Sequence, residues 1–277
     1  MMTSFTRRNF LKTSIIGGVA ATCIRPFSAL AVTGKQESFA SSVALTTGDN
    51  RADMAFRALQ PFSKEISRAI GNRRVVLKPN NVNINVPLAS THADTLEGIL
   101  EFLKSIGKKE NIIIAESAAN GPTLDGFRNF GYFRLAVKYN VKLVDLDQEP
   151  SDIMNVFDEK DFRPHPVRIS HLMLDPDSFL VSVARMKTHD RVFATLSLKN
   201  VVFGAGVKDP GFTFSASRKK GTNSDKPIMH GSGFRGINYN LYTMSRQLHP
   251  HLAVIDGFEG MEGNGPNDGT PVDHRVC

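Results

Sequence analysis

The chain has 277 residues, 41% hydrophobic and 22% charged, a balance that excludes a disordered or membrane-embedded protein and fits a soluble globular one. Of the formal charge of +7, Arg7, Arg8, Lys12 and Arg25 carry four within the first 31 residues; the +3 that remains excludes a strongly basic surface, so no nucleic-acid partner is expected. The cysteines are Cys23 and Cys277, which excludes a disulfide within the chain beyond residue 31 and gives too few thiolates for a cysteine-ligated iron–sulfur cluster.

Thr6 to Lys12 read T-R-R-N-F-L-K, the pattern of a twin-arginine signal. The apolar stretch from Ile15 to Cys23 is too short to span a bilayer, which needs roughly 20 apolar residues. Ala29-Leu30-Ala31 then fits the small-residue cleavage rule. Residues 1–31 are therefore expected to be a cleavable signal and the twin-arginine translocase a partner. The mature chain is expected to be folded cargo, exported to the periplasm or beyond, without a stable membrane anchor. Residues 32–49 are small and polar and read as a linker; residues 50–277 read as one domain.

Within that domain, apolar residues at Met54, Ala55, Leu59, Phe62, Ile66 and Ile70 predict a helix, stopped by Gly71. Arg74 to Leu77 reads as a strand, Ala93 to Ile106 as a helix and Asn111 to Ala115 as a second strand. Gly126 to Tyr139 follows as a helix and Val141 to Leu146 as a third strand. The alternation predicts an α/β fold, a parallel or mixed sheet flanked by helices. Its layering is Rossmann-like, but no G-x-G-x-x-G follows the first strand. Beyond this, Val167–Ser170, Ser178–Ala184 and Val192–Ser197 read as strands, Ile237 to Leu248 as a helix and Leu252 to Ile255 as a last strand. The basic run Arg218-Lys219-Lys220 reads as a solvated loop.

Ligands of open α/β sheets sit beyond the carboxyl ends of the strands, and polar motifs gather there. Lys78-Pro79-Asn80 follows the first strand, Glu116-Ser117 the second, and Lys187-Thr188-His189 the strand ending at Ala184; Lys199-Asn200 lies beyond. Lysines supply charge and amides supply directed donors, which suits a small anionic ligand. On this reading Lys78, Asn80, Lys199 and Asn200 bind substrate, Lys187 assists, and His189 and His230 handle protons. A divalent metal is the other reading, held by His92, Asp256 and Glu262 with the histidines nearby, although no two histidines have a tight ligand spacing. Each lysine alone also reads as a surface lysine, and each histidine as a structural one. The segment from Asp256 to Thr270, D-G-F-E-G-M-E-G-N-G-P-N-D-G-T, reads as a tight turn beside a ligand or as a plain connection.

Several of these stretches together carry a resemblance: L-K-P-N at Leu77 to Asn80, T-H at Thr91-His92, K-T-H at Lys187 to His189, L-S-L-K-N at Leu196 to Asn200, Met229-His230, and D-G-F-E-G-M-E-G-N-G-P at Asp256 to Pro266. In combination they resemble the family called domain of unknown function 362, over about Arg74 to Thr270. Many members look like iron–sulfur proteins through an added ferredoxin-type cysteine segment. This chain lacks that segment and resembles the exported members without it. The family pattern also continues past the acidic glycine-rich stretch, so a domain shortened at its C-terminus is expected here. The readings carried forward are an exported enzyme acting on a small anion and, from a different class, an exported anion- or metal-binding protein without catalysis.

Overall fold

The structure is a computed structural model and describes residues 41–215 and 219–277; the expected signal at residues 1–31 lies outside the described residues. Ala44 to Cys277 pack as one compact unit. Asn50 opens its first helix by accepting a hydrogen bond from the Asp53 N–H, as an N-cap does. The single helix predicted from Met54 to Ile70 is two helices, α1 (Arg51–Leu59) and α2 (Ser63–Ile70), joined by a 3-10 turn at Gln60–Phe62. Pro61 is the cause, because it has no N–H to donate and its ring obstructs an unbroken helix. β1 (Arg74–Lys78), α3 (Ala93–Ser105) and β2 (Ile112–Glu116) follow close to their predicted places. The helix predicted from Gly126 to Tyr139 is also two, α4 (Thr123–Asn129) and α5 (Tyr132–Tyr139). Gly131 stands between them at φ 76°, a left-handed turn that glycine adopts without strain.

After β3 (Lys142–Asp145) the chain forms a separate two-stranded antiparallel sheet from β4 (Ser151–Phe157) and β5 (Pro164–Ser170). A short α6 (His171–Leu174) leads into β6 (Ser178–His189), then β7 (Phe193–Thr195) and α7 (Ser197–Gly204). α8 (Lys226–Met229), α9 (Phe234–Ser245), β8 (Leu252–Glu262) and β9 (Thr270–Val276) complete the unit. Three sequence expectations change here. β6 runs five residues past Ala184, so Lys187 and His189 stand in the strand and not after it. Lys199 and Asn200 belong to a helix. The acidic glycine-rich segment is mostly strand, because β8 continues through it. β8 pairs with β6 up to Asp256 and, past a bulge, again at Met261, and its other edge pairs with β9 from Gly257 to Glu262.

The main sheet has the order β3-β2-β1-β6-β8-β9, with β7 pairing on β6. The pairs from β3 through β8 along that order are parallel; β9 on β8 and β7 on β6 are antiparallel. Strand alternation divides the core between two faces. Val75 and Leu77 pack with Leu96, Ile99 and Phe102 of α3 on one face. Val76 packs with Val201, Val202 and Phe203 of α7 on the other. Val75, Val76 and Leu77 are all 0% exposed, as a central parallel strand covered on both faces requires, and each is worth about 1.5–3 kcal/mol of burial. The strand order reverses between β1 and β6. That switch point is where an open sheet leaves a crevice beyond its strand ends.

Candidate active site

Lys78 is the last residue of β1 and Glu116 the last of β2, so adjacent parallel strands place them side by side. Their Nζ and Oε1 are 2.5 Å apart, with both side chains buried. The Lys78 ammonium also donates to the Pro79 carbonyl at 2.8 Å and to Asn200 Oδ1 at 3.3 Å, which engages all three of its protons. Burial pushes the Lys78 amine below its usual range, and Glu116 opposes that push. Glu116 accepts further bonds from the backbone N–H groups of Asn81 and Ser117. Asn200 ties α7 to this floor, donating to the Lys78 carbonyl and to Ser182 Oγ at 3.0 Å each, and Asn80 Nδ2 donates to Asn200 Oδ1 at 3.1 Å.

Above this floor lies a cavity of about 410 Å³, whose wall includes Lys78, Asn80, Asn200, Lys199, His189 and His230. Six residues singled out in the sequence thus meet in one place. Lys199, in the first turn of α7, is the half-buried cation of the wall. Its Nζ lies 5.4 Å from the centroid of the Phe203 ring and makes no hydrogen bond or ion pair among the described residues. Burial pushes its amine down to about 8, against the pull of Asp190.

The two imidazoles lie nearly parallel, 13° apart with centroids at 6.1 Å, and His230 also packs on Phe203 at 5.1 Å. Their hydrogen bonds fix complementary tautomers. His230 Nδ1 meets the Lys226 carbonyl at 2.7 Å, and a carbonyl only accepts, so Nδ1 carries the proton and Nε2 a lone pair. His189 Nδ1 lies 3.0 Å from both the Arg191 N–H and Asp190 Oδ1; only the Arg191 contact has hydrogen-bond geometry, so Nδ1 accepts there and the neutral ring carries its proton on Nε2. Burial, then the charge of Lys199, then His230 push the His189 pKa down to about 3. Burial, then Lys199, push that of His230 to about 4, against the hydrogen bond to Lys226. Both rings are neutral at pH 7.

Other sequence candidates fall elsewhere. Lys187 does not reach the cavity. Its Nζ is buried and donates to the Ala89 carbonyl at 2.6 Å, and burial, with Lys199 and Arg185 nearby, pushes its amine well below the lysine range. The expected metal set is not assembled. Asp256 lies between Arg51 and Arg185 at 3.3 Å from each, Glu262 pairs with His274 at the surface, and His92 caps α3 by accepting from the Asp94 N–H. Among the described residues no group of three or more histidines, cysteines and carboxylates converges on one point. The β6–β8 pairing explains this, because it sets Arg185 opposite Asp256 and spends that carboxylate on guanidinium groups.

Two members of the site stand outside the set drawn from the sequence. Lys226 lines the cavity wall and directs its Nζ at the carbonyls of Phe203, Gly204 and Gly206, at 3.4, 3.2 and 2.5 Å. It thereby covers the carbonyl end of α7, and burial pushes its amine to about 7. The D-K-P sequence at Asp225 to Pro227 signals a helix start, but only the fold brings that start under α7. Arg191, in the turn after β6, adds a further cation to the wall.

Residues 75–277 match the model of the family described as Domain of unknown function (DUF362). A curated relative, the thylakoid-associated protein sll1697 of Synechocystis sp., is 24% identical over 207 residues, covering 72% of this chain. A crystal structure of a Thermotoga maritima protein aligns with TM-score 0.45 and 13% identity over 74% of this chain. The chain spans 56% of the length of that relative and 50% of that of the Thermotoga protein.

Proposed function

The chain belongs to the DUF362 family, and from that premise we propose that it is an exported enzyme that binds a small anion in the β1/β6 crevice and moves a proton on it. The observation that carries this reading is the Lys199 ammonium, without a hydrogen bond or ion pair among the described residues, in one cavity with two neutral imidazoles of opposite tautomer. Lys199 attracts the anion, the Nε2–H of His189 donates to it, and the Nε2 lone pair of His230 receives the proton. An anion beside Lys199 cancels part of the charge that holds both imidazoles down, so binding raises His230 toward the range useful to a base. A binding protein without catalysis would use the same Lys199 contact. The neutrality of His189 favours that second reading, since a neutral imidazole is a hydrogen-bond donor and a poor acid.

Calorimetric titration of the full chain with inorganic phosphate and with acetate at pH 7 tests the reading. At least one anion is expected to bind, and Lys199→Ala to weaken it by about tenfold or more, as loss of a charge-assisted contact implies. Unchanged affinity in that variant overturns the proposal. A ligand that binds and is turned over, with turnover lost in His230→Asn and binding kept, selects the enzyme; binding without turnover selects the binding protein.

A further inference from the structure

The anion cavity does not end at His189. A second cavity of about 280 Å³ shares His189, Asp190 and Arg191 with the first, so the turn between β6 and β7 is the divide between two adjoining chambers. Each chamber exceeds the space a bare anion fills, and together they have the volume of sites for drug-sized ligands. Their linings differ. The first carries the lysines together with Phe203 and Phe214, whereas the second has no lysine and is flanked by Phe193 and Phe234.

Those two rings are exposed against the usual preference of phenylalanine. Phe193 is 81% and Phe234 56% exposed, and their centroids are 5.8 Å apart in an edge-to-face pair. Phe193 also has a left-handed backbone, φ 61°, at the end of the turn where β7 begins. A bulky side chain is strained there and glycine is not. Strain of that kind persists where the surroundings hold it, and it gathers at ligand sites. The opposite rim is held as firmly. Glu159 accepts from the Gly236 N–H at 2.9 Å and donates its own N–H to the Gly231 carbonyl, and Gly233 leaves no room for a Cβ against the Glu159 carboxylate. Phe234 therefore opens α9 at a fixed place. Phe162, in the β4–β5 hairpin, is likewise left-handed and exposed; what sets Phe193 apart is its packing on Phe234 at the wall of a chamber that adjoins the cationic cavity.

We infer that the ligand is an anion joined to an aromatic group: the charged end lies beside Lys199 in the first chamber, the chain crosses His189–Arg191, and the ring rests on Phe193 and Phe234. This rests on the anion reading of the same site and adds the substrate class. Arg191, at the divide, lies on the path between the two ends.

Calorimetry on the full chain with two matched series tests it: inorganic phosphate, phenyl phosphate and biphenyl-4-yl phosphate, and acetate, benzoate and biphenyl-4-carboxylate. Affinity is expected to rise by about tenfold or more from the bare anion to the biphenyl member, as burial of a ring on aromatic side chains implies. Phe193→Gly and Phe234→Ala are each expected to remove most of that rise and to leave the bare anion unchanged. Phe193→Gly also relieves the left-handed strain, so its melting temperature is expected to hold or increase, which separates loss of the shelf from loss of the fold. Bare anions that bind with no gain from the rings overturn this inference and leave the anion reading standing. A gain that survives both substitutions also overturns it, because the ring then lies elsewhere. No binding of any probe overturns both.

Discussion

Lys199 is a residue whose burial costs stability. Its amine has a pKa of about 8 in the fold against 10.5 for the free side chain, because burial strips water from the ammonium and only Asp190 returns some of the loss. Between pH 8 and 10.5 the unfolded chain holds a proton on this lysine that the folded chain does not. Stability therefore rises with pH through that window, and the full penalty is present below pH 8. Lys199→Met removes the penalty while keeping the aliphatic stem against Phe203. The variant is expected to be more stable at pH 7 by about 1–2 kcal/mol once solvent screening of a half-buried group is allowed for. The advantage should shrink as pH approaches 10. Urea titrations at pH 7 and pH 9.5 read this directly, and a variant less stable than the parent at pH 7 contradicts the account. A gain in stability with loss of anion binding is the usual signature of a functional residue. Lys78 belongs to the opposite class: all its protons are engaged, and removing Glu116 would strand a buried charge.

At the scale of elements, the contact between α1 and α3 turns on one glycine. A Cβ at Gly98 would lie 2.1 Å from the Ala52 carbonyl oxygen, a backbone atom that cannot swing aside. Alanine is the better helix former by about 1 kcal/mol, but a clash of that depth forces the helices apart and costs about 1–3 kcal/mol or more. The clash wins, so Gly98→Ala is expected to lower the denaturation midpoint, and a midpoint above the parent's would refute the close approach. Gly98 also illustrates what the sequence conveys. The α3 pattern is plain in Leu96, Ile99, Leu100 and Leu103, whereas the partner that makes residue 98 a glycine is 46 positions away. Likewise the V-V-L run marks β1, and the following K-P-N marks its polar exit. The continuation of β6 through Arg185, Lys187 and His189 is hidden, because charged residues in a strand look like a loop until Asp256, Glu259 and Ala89 arrive to satisfy them. That the three residues of the metal reading lie apart was hidden for the same reason, since the sequence shows carboxylates but not the guanidinium groups that pair with Asp256. Lys199 and His189 are legible as polar residues near strand ends and His230 as a residue of the glycine-rich loop, whereas the tautomers of the two histidines and the Lys226 cap depend on tertiary contacts.

At the scale of the whole molecule, residues from Ala44 to Cys277 pack as one compact unit. Thr46 exchanges backbone hydrogen bonds with Cys277 at 2.9 and 3.0 Å, and the unit they close buries a layer of apolar side chains on each face of its sheet. Two observations on different parts of the chain then bear on transport. T-R-R-N-F-L-K at Thr6 to Lys12 has the pattern of an address for folded cargo, an expectation that the variant below tests. The downstream fold depends on contacts far apart in sequence, such as β1 with β6 and Thr46 with Cys277, which form slowly and only once the whole chain is present. An export route that admits the chain after folding avoids passing those unpaired strands across the membrane unfolded. Replacing Arg7 and Arg8 by lysine keeps the charge of this segment and removes the paired guanidinium groups, which lysine does not mimic. The double variant is expected to remain in the cytoplasm, uncleaved, soluble and as protease-resistant as the exported parent. Cell fractionation with limited proteolysis checks both halves. Unchanged export would refute the twin-arginine reading, and a retained precursor that is readily digested would show that folding waits for transport.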